Sequence, residues 1–299
     1  MMIGGDLVVV RGAGDLATGS IVRLVRAGFR VVALEVAAPS SIRRTVCLSE
    51  AMYDGAAEVE GVRAVRVASL DEVRALLAQP GPAGPVPLLE DPGCTVLPAL
   101  RPMALVDAIL AKRNLGTRIG MADVVVALGP GFEAGVDADA VVETHRGHDL
   151  GRVLTRGRAE PDTGVPGMIG GLGAERVVHA ACAGVVTGLK RIGDPIRAGE
   201  PLLAYIGAQG RILQAAAIDG MVRGLIRDGF MAKAGLKVAD VDPRGRREYC
   251  YTVSDKALAI AGGVLEAVLR LGARRSPGGQ GPQRAQGPQD VPPDPRSPR

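Results

Sequence analysis

Tryptophan is absent from the chain, and three phenylalanines and four tyrosines bring aromatic side chains to only 2%. Proteins that grip single-stranded nucleic acid stack bases on aromatic rings, so that platform is missing. Cysteine is scarce as well. Cys47, Cys94, Cys182 and Cys250 lie far apart with no C-x-x-C pair, which excludes the usual zinc-ligand spacing and a disulfide framework. No apolar run approaches the roughly 20 residues of a membrane span. Residues 1–6 lack the basic start and apolar core of a secretory signal. The expectation is a cytoplasmic protein with no membrane partner. One-sided charge is also lacking. The formal net charge is +4, but residues 273–299 hold five arginines against two aspartates, and the rest of the chain is nearly neutral. A nucleic-acid partner is therefore not expected.

What is present is apolar: 47% of 299 residues are hydrophobic, enough for a sizeable core and two domains. The first organised stretch is "LVVVRGAGDLATGSIVRLVRAGFRVVALE", residues 7–35. Residues 7–10 suit a buried parallel strand, and Gly12 and Gly14 permit a tight turn and a close backbone approach to a phosphate. Ala17 is small enough to pack on the strand. Leu16, Ile21, Leu24 and Val25 share a helical face beginning at Asp15, Gly28 stops the helix, and a second strand ends on Glu35. Strand, glycine turn, helix and acid together predict a βαβ unit whose turn holds phosphate and whose Glu35 holds a ribose hydroxyl.

The alternation continues. Strands are expected at residues 62–67, 86–90 and 123–128, a helix at 70–77, a flexible loop in "QPGPAGPVP" (79–87), and a helix from Pro102 to about residue 113. This predicts an α/β, Rossmann-like domain over residues 1–150 with a mainly parallel sheet. Ligands then bind at the carboxyl ends of its strands, where "EDPGC" with Cys94, "GPGF" with Gly129 and Gly131, and "THRGHDLGR" with His145 and His148 fall.

The second half is punctuated differently. Gly184, Gly188, Gly193 and Gly199 recur as Gly220, Gly224, Gly229 and Gly235, each displaced by 36 residues. Two copies of a short-strand unit predict a small all-β module over 179–245, similar to the biotinyl/lipoyl barrel-sandwich, after a connecting segment at 151–178. The turn at 217–220 carries no lysine, which argues against a swinging-arm carrier. A C-terminal strand and helix are expected at 246–272, the helix from Asp255 to Leu271, and a disordered tail at 273–299.

Several residues could carry chemistry. Arg43 and Arg44 are adjacent guanidiniums that suit a phosphate or carboxylate, or else a solvated loop. His145 and His148 form H-x-x-H beside Glu143 and Asp149, but no third ligand is fixed and Arg146 opposes a cation, so no metal is expected. Cys94, on an expected strand-end loop, reads as packing or as a reactive thiol. Asp240 and Asp242 read as a compact acidic turn paired with Arg244, or as weak ligands for a divalent ion.

The blocks "RGAGDLATGS", "IRRTVCLSEAMYDG", "LVDAILAKRNLGT", "ALGPGFEAGVDADAVVETHRGHDLGRV", "TGVPGMIGG", "GLKVADVDPR" and "SDKALAIAGGVLEA" resemble the YqeB-type accessory proteins of selenium-dependent molybdenum hydroxylases. The resemblance runs over residues 6–271. It implies a factor in the maturation of hydroxylases of the xanthine dehydrogenase class, with a looser similarity of role to the XdhC/CoxF-type factors that bind and deliver molybdenum cofactor. The implied ligand is molybdopterin or a nucleotide, and the implied partners are the client hydroxylase and other maturation factors. The residues expected to hold the ligand are Gly12, Gly14, Asp15, Ala17, Glu35, Arg43 and Arg44. They would suit NAD(P) equally, so a nicotinamide-dependent oxidoreductase stands as the alternative to a cofactor-binding factor without catalysis of its own.

Overall fold

The structure, a computed structural model, describes residues 6–79, 84–207 and 210–275, with side chains through 273. The chain runs β1 (Leu7–Arg11), α1 (Asp15–Arg26), β2 (Arg30–Glu35), α2 (Ala51–Asp54), β3 (Ala56–Val59), β4 (Val62–Val67), α3 (Leu70–Leu77), β5 (Val86–Glu90), α4 (Leu97–Leu100), β6 (Ala104–Asp107) and β7 (Val124–Leu128). It continues through β8 (Glu133–Ala134), β9 (Ala140–Val142), β10 (Val153–Leu154), β11 (Gly157–Arg158), β12 (Val177–His179), β13 (Gly184–Gly188), β14 (Pro195–Ile196) and β15 (Pro201–Gly207). The last elements are β16 (Gly210–Ala215), β17 (Gly220–Leu225), β18 (Met231–Ala232), β19 (Lys237–Asp242) and α5 (Asp255–Arg275).

Nine strands form one sheet in the order β10-β9-β7-β6-β1-β2-β5-β4-β3. All neighbours pair in parallel except the two edges, β10 on β9 and β3 on β4. β1 and β7, apolar almost throughout, are buried along their whole length, as strands covered on both faces must be. Successive strands step outward from β1 in opposite directions, β2 to one side and β6 to the other. Such a sheet opens a crevice at that reversal.

One correction concerns β6. Residues 102–113, expected as a helix, instead supply the strand Ala104–Asp107, hydrogen-bonded in parallel between β1 and β7. A short, fully buried apolar run has no periodicity of its own, and the sheet filled the vacancy beside β1 with it. The chain then turns through left-handed Leu110 and Lys112, where a helix cannot continue.

The face opposite α3 is closed by α1 and α5. Ala257, Ile260, Ala261, Val264, Ala267 and Val268 are buried at helical spacing. At the crossing, a Cβ on Gly19 would lie 2.9 Å from that of Ala257, so the helices meet as closely as they do because residue 19 has no side chain. α5 starts at Ser254, whose Oγ accepts from Ala257 N at 3.2 Å. It runs to Arg275, past the expected boundary at 272, and no strand precedes it among the described residues 246–254. The rest of the expected tail, 276–299, lies outside the described residues, as do residues 80–83 of the expected loop.

The segment 151–178 is more than a connector. β10 extends the large sheet, and β11 pairs with β8. Beyond it the 36-residue displacement reappears in the strands: β13, β14 and β15 begin at 184, 195 and 201, and β17, β18 and β19 at 220, 231 and 237. They build two four-stranded antiparallel sheets, β16-β15-β13-β18 and β12-β19-β17-β14. Each copy lends its shortest strand to the other copy's sheet. Val186 and Val222, equivalent in the repeat, are both fully buried in the core between them. Leu189 and Leu225 break the symmetry, at 38% and 2% exposed. Leu225 is where the β module docks: its N–H donates to Ile42 O at 2.7 Å. Arg227 clamps the same contact, reaching Glu50 and Asp54 and stacking on the Tyr53 ring. Among the described residues no helix is long and apolar enough to cross a membrane.

Candidate functional site

The glycine turn after β1 adopts the left-handed conformation that its sequence allows, with Gly12 at φ 102°. It is not open to a ligand at that residue, because a Cβ there would lie 3.2 Å from Ala108 O in the segment leaving β6. Glu35, expected to hold a ribose hydroxyl, instead accepts from Ala13 N–H at 2.8 Å and Val36 N–H at 2.9 Å. Burial raises its pKa, and those two bonds pull it back. The acid closes the turn. Gly14 makes ordinary contact with Ser41 and Ala17 is buried, so of the first turn Asp15 and Leu16 are the residues that reach accessible space.

That space is a cleft of about 470 Å³ between the carboxyl edge of the large sheet and the β module. On the sheet side it is bounded by the start of α1, by Lys112 after β6, Pro130 after β7, and residues 144–146 after β9. On the module side stand Arg176, His179, Arg223, Lys237 and Asp240. The start of α5, Ser254 and Lys256, forms a third wall, and residues 160–167 pass over it. Two helix amino-termini thus face one space, and each adds positive potential.

Seven lysines and arginines face four carboxylates in this lining. Three of those acids are engaged: Asp15 with Arg43 at 2.7 Å, Asp240 with Arg176 at 2.6 Å, and Asp162 with Lys112 at 2.7 Å. Arg146 leans away to Asp255 at 2.6 Å, whose carboxyl its hydrogen bond pulls down to about 2. Among the described residues, no carboxylate lies at ion-pair distance from Lys237 or Lys256. Enclosure lowers the pKa of both. For Lys237 the cations Arg176 and Arg43 add to that shift while Asp240 and Asp15 oppose it, and for Lys256 Arg146 and Lys237 lower it further. Arg223 is buried and lies 3.6 Å from Asp242; its pKa falls through desolvation and the nearby charge of Arg43, against the pull of Asp240, Asp242 and Asp15. Like charges held together at the wall of an enclosed cleft repel unless an anion joins them.

Of the expected residues, Asp15, Arg43 and His145 meet in this cleft. Arg44 points elsewhere: its Nε donates to Leu225 O at 2.8 Å and it faces Glu50 at 3.7 Å, so it joins the two halves of the protein. His148 is exposed outside the cleft, which separates the H-x-x-H pair. Glu143 anchors the loop between them by accepting from the N–H groups of Thr144, His145 and Glu160. Among the described residues, no group of three or more His, Cys, Asp or Glu could hold a metal. Cys94 is 4% exposed on the other side of the sheet, and burial pushes its thiol up to about 11. Gly129 and Gly131 serve packing. A Cβ on Gly131 would fall 2.6 Å from Arg113 backbone atoms, so its absence lets the loop carrying Lys112 cross there. The expected acidic turn is the buried strand β19; Asp242 holds Arg244 through two bonds of 2.9 and 2.6 Å, and neither it nor Asp240 is open to a divalent ion.

Sequence reasoning missed Lys112, Arg146, Arg176, Arg223, Lys237 and Lys256. A signal existed for four of them: Lys112, Arg146, Lys237 and Lys256 each sit inside one of the long blocks quoted above, Arg146 beside Gly147 and Lys256 in the first turn of α5. Arg223 and Arg176 lie outside those blocks.

No protein-family model matches the chain. The chain is 48% identical over 268 residues to the uncharacterized protein YqeB of Escherichia coli strain K12, a match covering 90% of this chain and 48% of the relative. The chain therefore spans about half the length of that curated relative. Among solved structures, the succinylglutamate desuccinylase/aspartoacylase of Rhodobacter sphaeroides is 22% identical over 23% of this chain and 22% of its own, with a TM-score of 0.21. The product-bound ectoine utilization protein EutE (DoeB) of Ruegeria pomeroyi is 20% identical over 30% of this chain and 27% of its own, with a TM-score of 0.22. Both likenesses cover less than a third of this chain.

Proposed function

We propose that this chain, similar in sequence to YqeB over nine-tenths of its length, binds a phosphate-bearing organic ligand in the cleft between its two halves. We propose further that it acts as a cytoplasmic accessory factor in the maturation of molybdenum hydroxylases. The observation that carries the binding reading is the cationic excess of the cleft, above all Lys237 and Lys256 without carboxylate partners beside Arg43, Arg176 and Arg223. Charge-assisted bonds from such a set to phosphate oxygens are strong, and guanidiniums add orientation. The volume suits a ligand of cofactor size. The ligand sits one step away from the glycine turn, at the reversal of strand order.

The hydroxylase role rests on the sequence resemblance. Molybdopterin or its nucleotide form is cargo in this reading, and it supplies the redox chemistry of the client enzyme rather than any step here. Arg43 and Arg176 would receive its phosphate, with Lys237 and Lys256 neutralising further charge. The residues fit, because both guanidiniums are buried and each keeps a donor without a partner. The engagement of Glu35 by the turn speaks against a ribose contact there, and so against the NAD(P)-dependent alternative. The exchange of short strands between two copies supports a barrel-sandwich reading of the β module, which here forms one wall of the site.

Two measurements test the proposal. Native mass spectrometry of protein purified from its own cells should reveal a bound phosphorylated organic ligand that is lost in Lys237→Glu. A strain lacking the protein should make its xanthine dehydrogenase-class hydroxylase in normal amount but inactive, and adding loaded protein should restore activity. Full client activity in that strain, or steady NAD(P)H oxidation by the purified protein, refutes it.

A further inference from the structure

Among the described residues, four buried side-chain polar atoms have no hydrogen-bond partner, and three of them belong to residues lining the cleft: Arg43 Nε, Arg176 Nε and Asp15 Oδ1. Native interiors rarely leave such atoms unmatched, and three on the lining of one cleft call for a partner. Each terminal nitrogen of the two guanidiniums has a partner. Arg43 donates to Asp15 Oδ2 at 2.7 Å and to Tyr249 O and Thr252 O at 3.3 Å each. Arg176 donates to Asp240 at 2.6 Å and to Gly167 O at 3.0 Å. Both guanidiniums are more than nine-tenths buried and held in place.

The three atoms are not alike. Two are donors, which an anionic oxygen satisfies. The third is a carboxylate oxygen, which an anion repels and only an N–H or O–H can satisfy. A plain anion would therefore answer the arginines and worsen the position of Asp15. We infer that the ligand is bifunctional: an anionic oxygen group received by Arg43 and Arg176, and close to it an N–H or O–H donor that Asp15 accepts. This rests on the anion-binding reading above and narrows it to organic phosphates carrying hydroxyl, amino or amide donors. Asp15 is then a specificity residue that repels anions lacking a donor and rewards those that carry one.

Calorimetric titration of the whole chain at pH 8 separates the cases with two probes. Guanosine 5′-monophosphate offers a phosphate with hydroxyl and N–H donors, and phenyl phosphate offers the same phosphate on a ring without a donor. Guanosine monophosphate should bind the wild type at least ten-fold more tightly. In Asp15→Asn, which removes the negative charge, the two probes should move in opposite directions, the nucleotide weakening about five-fold or more and phenyl phosphate holding or tightening. Equal affinities for the two probes in the wild type, or parallel changes in Asp15→Asn, overturn the bifunctional inference while leaving the anion cleft standing. Failure of both probes to bind removes the anion cleft along with it.

Discussion

Replacing Arg176 by methionine should destabilise the protein through Asp240 more than through the arginine itself. Asp240 is 4% exposed and sits 2.6 Å from Arg176 on the middle of β19. Methionine keeps much of the packing volume but strands a buried carboxylate, and breaking a buried pair from one side costs about 3–5 kcal/mol. Arg223 and Lys237 remain near enough to share that charge, so the lower end, about 3 kcal/mol, is expected. For a chain of this size that corresponds to a fall of roughly 6–10 °C in melting temperature. Circular dichroism melts of Arg176→Met, Asp240→Asn and the double variant form the cycle. The double variant should recover about 2 kcal/mol relative to the sum of the singles. A loss below about 1 kcal/mol in Arg176→Met, or additive effects in the double variant, refutes the reasoning.

Ligand binding should draw protons from solution at alkaline pH below 10.5, because an anion returns Lys237 and Lys256 toward that ordinary value. Calorimetry in buffers of different ionisation enthalpy measures the uptake. For the same reason the ligand-free protein, whose folded lysines bind protons less readily than the unfolded chain, should gain stability as pH rises toward that value. Gly131→Ala should cost about 2–4 kcal/mol, since the added Cβ meets Arg113 backbone from a strained φ, and it should weaken anion binding by moving Lys112. Iodoacetamide at pH 8 should label half-buried Cys182 well before Cys94, whose thiol stays protonated; equal labelling would show the Cys94 loop opening.

How far the sequence reached depended on whether a feature was local. The β1-α1-β2 unit, the repeat and α5 could be read because glycines, a Ser254 cap and helical spacing sit within a few residues of what they control. β6 could not, because "ALVD" is decided by the vacancy between β1 and β7 rather than by its own pattern. The site was misread in one direction. Glycine turn and acid suggested an open phosphate cradle, but whether Glu35 faces a ligand or Ala13 N–H is a matter of side-chain direction that no spacing encodes. The seven cations of the cleft come from seven separate stretches, and their convergence exists only once the β module docks through Leu225 and Arg227.

The return of α5 to the first sheet has a consequence for synthesis. The β module closes most of its core within residues 178–250, so that core can form once Cys250 has left the ribosome. The α/β half cannot, because α1 and the strands beneath it wait for a helix made last of all the described elements. Bringing Gly19 against Ala257 joins opposite ends of the chain, a slow closure by its length. Until α5 emerges, the face of the sheet formed by β6, β7, β9 and β10 stands open, and the nascent protein is exposed there to aggregation and to chaperones.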